Sequence, residues 1–401
     1  MAATALPIDS SAVETLTQRL VQVPSISGSE GALAALVAEE MRASGWTVET
    51  DRMGNVIGRI GSKGGNRLLF DAHMDTVDVG DRGAWKRDPF AGAVERGVLY
   101  GRGAVDNKAA LAAMIQAGSA LLRSGVPLEG ALYLAAVVLE EPCEGLAIGH
   151  VVEEKGIHPD WVVIGEPTNL HVSRGQRGRI ELRITVKGRS AHAASPERGV
   201  NAIYGAARAI VGLELLAQQL SQDAFLGKGS IAVTEISSSS GSRNAVPDSC
   251  TLYVDRRLTV GETEARALAE LRRALAREGV DVSVEVSEWA GESYTGMAAS
   301  YRQVCPYWLT APDAPLLVAA VHVIEETLGY MPHVGRWDFS TDGVYTAGVA
   351  GIPTIGFGPG EERFAHAADE QVRLADVVAA TRVYTQLALS LLSAGKWRAA
   401  S

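Results

Sequence analysis

The sequence predicts an α/β fold on a mostly parallel sheet, with a smaller α+β unit inserted into it. Three observations carry this. Short apolar runs alternate with helical patterns from about residue 46 to about 176, as when crossover helices join parallel strands. Near residue 178 the pattern changes: Ile180, Leu182, Ile184 and Val186 alternate with Glu181, Arg183 and Thr185, which marks a strand with one buried face. After about residue 293 the first pattern resumes.

Taken in order, Leu16, Leu20 and Val23 stripe a first helix that ends near Pro24. Ser29 is placed to cap a second, with Leu33, Leu36 and Val37 facing inward and Gly45 as its stop. Apolar runs beginning at Arg67, Ala131 and Trp161 read as buried strands, separated by helices over 107–122 and 146–154. The insertion reads as a strand near 180–186, a helix over 201–220, strands over 230–236 and 251–257, a helix over 263–278 ended by Gly279, and a strand over 280–286. That β-α-β-β-α-β order is ferredoxin-like. Ser237 to Ser240 reads as a loop and Gly291 to Asp313 as irregular. A helix near 315–328, a strand near 353–358 and a helix over 374–393 complete the chain. The expected division is 1–177 with 294–401 as one domain and 178–293 as the insertion.

A chain of 401 residues is long for one compact domain, and 47% hydrophobic with 21% charged residues is ordinary for a globular protein. The net charge of −10 argues against a nucleic-acid partner, since no surplus of Lys and Arg is available for phosphates. No apolar run approaches the roughly 20 residues of a membrane span, and no signal peptide is seen. Three scattered cysteines, Cys143, Cys250 and Cys305, fit a reducing cytoplasm without disulfides.

The chemistry lies at the strand ends. Glu140 and Glu141 sit together where an apolar run stops. Adjacent carboxylates there are costly unless something positive shares the site. His73 and Asp75 follow another run, Glu166 a third, and His366 follows the 353–358 strand. Ligands of open α/β sheets bind beyond the carboxyl ends of the strands, so these groups converge on what looks like a metal site. Each alone has an ordinary reading. Asp106 suits a helix N-cap, Glu140-Glu141 a solvated loop, and His366 and His192 lone loop histidines. Asp75 is placed to accept the second ring N–H of His73. Their order and placement together are specific.

The run His73-x-Asp75, Gly101-Arg-Gly-Ala-Val-Asp106-x-Lys108, Glu140-Glu141, Gly165-Glu166-Pro-Thr, Ser190-Ala-His192 and Ala365-His366 resembles the M20 family of metallopeptidases and deacylases. The stretches 174–179, 195–199 and 354–360 look closest to its YgeY-type, acetylornithine-deacetylase-like branch. Leu139 departs from the Asp or Gln common before the Glu pair, and Trp337 and Phe339 fall near the expected substrate pocket. The resemblance implies two zinc ions, with cobalt or manganese as substitutes. His73 and Glu166 would hold one, Glu141 and His366 the other, and Asp106 would bridge them. Glu140 would be the general base and His192 an oxyanion donor, often reaching a partner subunit's site. Asn244 and Arg257 would bind the substrate carboxylate, with Arg256 the competing candidate. The implied protein is a homodimer, paired through the insertion, that hydrolyses the amide of a small N-acyl amino acid or dipeptide. An aminopeptidase requiring a free amine, or a silent binding protein on the same fold, would be the alternatives.

Overall fold

The structure is a computed structural model and describes residues 6–62 and 64–393. Its largest sheet runs in the order Thr47–Thr50, Val56–Gly61, Ala131–Val137, Arg67–His73, Trp161–Ile164, Thr354–Gly356, Val172–Gln176 and Trp308–Leu309. Four central strands, from Ala131–Val137 to Thr354–Gly356, are parallel. Their residues are almost all buried, as expected of strands covered on both faces. Antiparallel pairs flank them on both sides. The parallel centre brings its carboxyl ends to one edge, where His73 pairs with Val137 and Asp71 with Ile164.

The helix Ala109–Ser124 lies against Leu374–Leu392 and Ser10–Val21, and every residue from Ala109 to Leu121 is buried. Its alanines let neighbouring elements approach closely. Gly118 is the tightest point, since an added Cβ would lie 1.8 Å from Cζ2 of buried Trp46.

The insertion forms a second sheet, in the order Ser230–Ser239, Ser249–Leu258, Gly178–Lys187 and Val282–Val286, with all pairs antiparallel. The helices Ala202–Gln218 and Glu264–Arg277 share a separate core with it, around Ile184, Leu213, Leu252 and Leu271. Asn201 and Thr263 cap the two helices through their side chains, which explains where each begins.

Three local expectations are corrected. Ser29 is not the cap of the second helix: Glu30 occupies that position, and its carboxylate turns inward to accept from the N–H groups of Gly28 and Leu139. Ser237 to Ser239 extend a strand, because the long partner Ser249–Leu258 offers pairing that outweighs their turn-like composition. The stretch 291–313 is not irregular. Glu288–Glu292 and Ala298–Arg302 form a hairpin, Val304–Cys305 joins the inserted sheet, and Trp308–Leu309 joins the main one. The last two are only two residues long, and the hairpin strands alternate between exposed and half-buried positions without a buried face to mark them.

Gly118→Ala gains about 1 kcal/mol of helix propensity but overpacks against Trp46, which costs about 1–3 kcal/mol. Denaturant unfolding should show a net loss of stability; a gain would contradict the packing described.

Candidate metal centre

Asp106 stands between two clusters of ligand-type atoms. On one side its Oδ1 lies 2.8 Å from His73 Nε2, which is 3.3 Å from Glu166 Oε1. On the other, its Oδ2 lies 3.2 Å from His366 Nε2, which is 3.0 Å from Glu141 Oε2. Each cluster offers three ligand atoms within 4.8 Å of one another. The five residues come from five places in the chain, brought to one point by the parallel strand ends. Asp106 does not cap the helix that follows; it sits upstream, in a kinked turn ahead of Ala109.

Supporting contacts fix the clusters. The His73 Nδ1–H donates to the backbone carbonyl of Asp75 at 2.9 Å, leaving Nε2 for the cluster. The expected partner, the Asp75 carboxylate, is farther away at 3.5 Å. Instead it accepts from the N–H groups of Glu140 and Glu141, both at 3.1 Å, and from Ser27 Oγ. Asp75 therefore orients the Glu pair as much as the histidine. Asn107 Nδ2 donates to Glu166 at 2.8 Å. Leu139 and His366 both hold φ near +60°, uncommon for side-chain-bearing residues.

The electrostatics are those of crowded carboxylates. Burial pushes the Glu141 carboxyl up to about 7, reinforced by Asp106. Burial likewise lifts Glu140 well above its ordinary value; His73 opposes this, while Glu166 and Asp342 add to it. Hydrogen bonds to Asp106 and Glu141 raise His366 to about 10. For Asp106 itself burial acts upward, but His366 and His73 outweigh it and hold the carboxyl well below the usual range. Beneath the site lies a buried pair the sequence reading missed. Asp71 is held well above its ordinary value by burial and by Asp342, and Asp342 is lifted to about 7 by burial. The one visible signal was an acid inside the apolar run Leu68 to Ala72.

The clusters open into a cavity of about 350 Å³, which Glu140, Glu144, Arg179, Arg257, Phe339 and Glu362 also line. Arg179 and Arg257 are direct cross-strand partners on the inserted sheet, so both reach the cavity from above. Arg179 pairs with Glu144 at 2.7 Å and Arg257 with Asp255 at 2.8 Å. Glu144 and Arg179 were not foreseen. Arg256 points the other way, buried against Glu262 at 2.5 Å. Phe339 lines the cavity, whereas Trp337 lies below it and donates to the carbonyl of Pro167. His192 and Asn244 are brought together, since Ala193 N donates to the Asn244 carbonyl at 2.7 Å. Both are exposed on the insertion and neither lines the cavity.

Residues 69–390 match the family model described as Peptidase family M20/M25/M40. The chain is 41% identical over 376 residues to the uncharacterized protein YgeY of Escherichia coli (strain K12), covering 93% of each. It is 30% identical over 392 residues to the succinyl-diaminopimelate desuccinylase of Xanthomonas euvesicatoria pv. vesicatoria (strain 85-10), covering 94% of this chain and 98% of that one. The Bacillus subtilis YXEP protein, described as a dinuclear metal binding peptidase from the M20 family, superposes with a TM-score of 0.69 at 16% identity, covering 96% of this chain and 98% of that one. The fold, the carboxylate–imidazole clusters and these relatives define a metal-dependent amide hydrolase. The chain belongs to peptidase family M20/M25/M40.

The two arginines should separate cleanly. Arg256→Ala leaves Glu262 buried without its partner and is expected to destabilise the fold by about 3–5 kcal/mol. Arg257→Ala should leave stability within about 1 kcal/mol and act on substrate affinity. Paired thermal melts and saturation kinetics check this; equal effects of the two on stability would contradict it.

Proposed function

We propose that this chain is a dinuclear zinc-dependent hydrolase that cleaves the amide bond of a small N-acyl amino acid or dipeptide. The observation that carries the reading is the position of Asp106, with one carboxylate oxygen in each ligand cluster and Glu140 beside both. The residues fit the ions. His73 and Glu166 would hold one, Glu141 and His366 the other, and Asp106 both. Carboxylates and imidazoles without thiolate suit zinc, with cobalt or manganese as substitutes. Positive charge is also what the raised carboxyls of Glu140, Glu141 and Glu166 lack. When bound, the ions would supply Lewis acidity toward the amide carbonyl and toward water. The description of the YXEP protein supports the same reading.

Glu140 is the general base. It reaches the cavity but is not needed in either ligand cluster, so it is free to take a proton from water and deliver it to the leaving amine. Arg257 offers a two-pronged donor to a substrate carboxylate, and the cavity size suits a small molecule. His192 and Asn244 lie outside that cavity, so they act after domain closure or from a partner chain. A homodimer through the insertion is supported by exposed Val200, Ile203, Tyr204, Val211 and Leu215, and by the edge strand Ser230–Ser239. A cytoplasmic location is supported by three free cysteines, and no helix among the described residues is long and apolar enough to cross a membrane. A panel of N-acetyl, N-succinyl and dipeptide substrates tests the function directly. Turnover of free-amine peptides alone would favour an aminopeptidase.

Glu140→Gln should lower kcat by about 10² to 10⁴-fold or more while metal content stays unchanged. Near-normal turnover in the metal-replete variant would remove Glu140 from this role. His192→Ala should cost about 3 kcal/mol in the transition state, lowering kcat with little change in KM. Mixing His192→Ala chains with Glu140→Gln chains should restore activity if the histidine serves the partner's site. A dead mixture with demonstrated subunit exchange would mean that the histidine acts within its own chain or not at all.

A further inference from the structure

Glu370 is fully buried, four residues past His366, and has no place in either ligand cluster. Its carboxylate nonetheless gathers the turn that carries Asp106. Oε1 accepts from the backbone N–H groups of Val105 at 2.9 Å and Asp106 at 3.1 Å. Oε2 accepts from the N–H of Gly103 at 2.9 Å and from Arg102 Nη1 at 2.7 Å. The backbone carbonyl of Glu370 accepts a further bond from Gly101 N at 2.9 Å. Three amides of one turn and one guanidinium thus close around a single side chain. Such concave groups of N–H donors are built to hold an anion. Gly103 makes the turn possible: its φ is +83°, and an added Cβ would lie 2.8 Å from Thr76 Cγ2.

The geometry points to Glu370 as the positioning residue for Asp106, and through it for both metal sites at once. Asp106 must present one oxygen to His73 and the other to His366, over contacts of 2.8 and 3.2 Å. A shift of its backbone would misplace both oxygens together. Glu370 holds that backbone directly at Asp106 N, and it does so from the loop that carries His366. One side chain therefore sets the spacing between the bridging carboxylate and a ligand of the second cluster. Burial and the neighbouring Asp106 push the Glu370 carboxyl up, and Arg102, itself buried, opposes them with a counter-charge at 2.7 Å.

This role rests on the dinuclear reading, and the test separates the two. Metal-stripped wild-type chain and Glu370→Gln are titrated with zinc against a competing chelator, with melting of the metal-free proteins measured alongside. Glutamine turns an N–H₂ group toward amide donors. It should weaken zinc binding at both sites by about 10- to 100-fold, the range typical of lost ligand-orienting partners. Gly118→Ala, destabilised at a remote position, should keep wild-type zinc affinity, which sets the effect apart from general loss of stability. Wild-type zinc affinity in folded Glu370→Gln would overturn the role of Glu370 and leave the dinuclear reading standing. Wild-type protein that takes up no second ion would overturn both. Should Glu370→Gln not fold, Arg102→Lys loosens the same carboxylate while keeping its charge. Several-fold weaker zinc binding is then expected, and unchanged affinity overturns the proposal.

Discussion

The site depends on one carboxylate serving two ligand clusters. Asp106 can do so only because four parallel strands end together, delivering His73, the Glu140-Glu141 pair and Glu166 to the edge where the Asp106 turn and the His366 loop meet. The arrangement concentrates negative charge. Asp106, Glu140, Glu141, Glu144, Glu166 and Glu362 all line a single cavity. Burial raises the carboxyls of Glu140, Glu141 and Glu166, and neighbouring carboxylates at such spacing add to it. Carboxylates crowded and buried in this way beside two imidazoles suit cations, which is the physical sense of a metal centre at this place.

Much of the surrounding structure serves to aim these groups. Asp75 ties the two Glu amides to the His73 loop, and Ser27 holds Asp75 in turn. Glu30 holds Leu139 in its left-handed conformation through the backbone N–H, one residue before Glu140. The insertion contributes charge of the opposite sign. Arg179 and Arg257, opposed across two strands, face the carboxylates from the other wall of the cavity. The acidic ligand-type groups and the two arginines thus come from separate sheets, so the relative placement of the sheets sets the shape of the cavity.

The parallel core and the inserted unit were legible because burial on both faces leaves continuous apolar runs, and burial on one face leaves alternation. The ligand-type residues stood out by their order and their placement after apolar runs, although each alone had an ordinary reading. What stayed hidden was decided by tertiary contacts. Glu30 replaced Ser29 at the helix start because its carboxylate serves a loop far along the chain. The strands within 291–313 are two to five residues long and are fixed by their partners. Arg256 and Arg257 could not be told apart by type. Strand alternation gave one to the cavity and the other to Glu262. Asp71 showed only as an acid inside an apolar run, and Glu370 carried no local pattern that distinguished it from a surface acid.

A two-ion centre here requires Asp106 to be shared. Crystals grown with zinc and measured on both sides of its absorption edge locate the ions directly. Two anomalous peaks per chain are predicted, one beside His73 and Glu166, the other beside Glu141 and His366, with an Asp106 oxygen on each. A single peak, or two peaks of which one lacks Asp106, would contradict it.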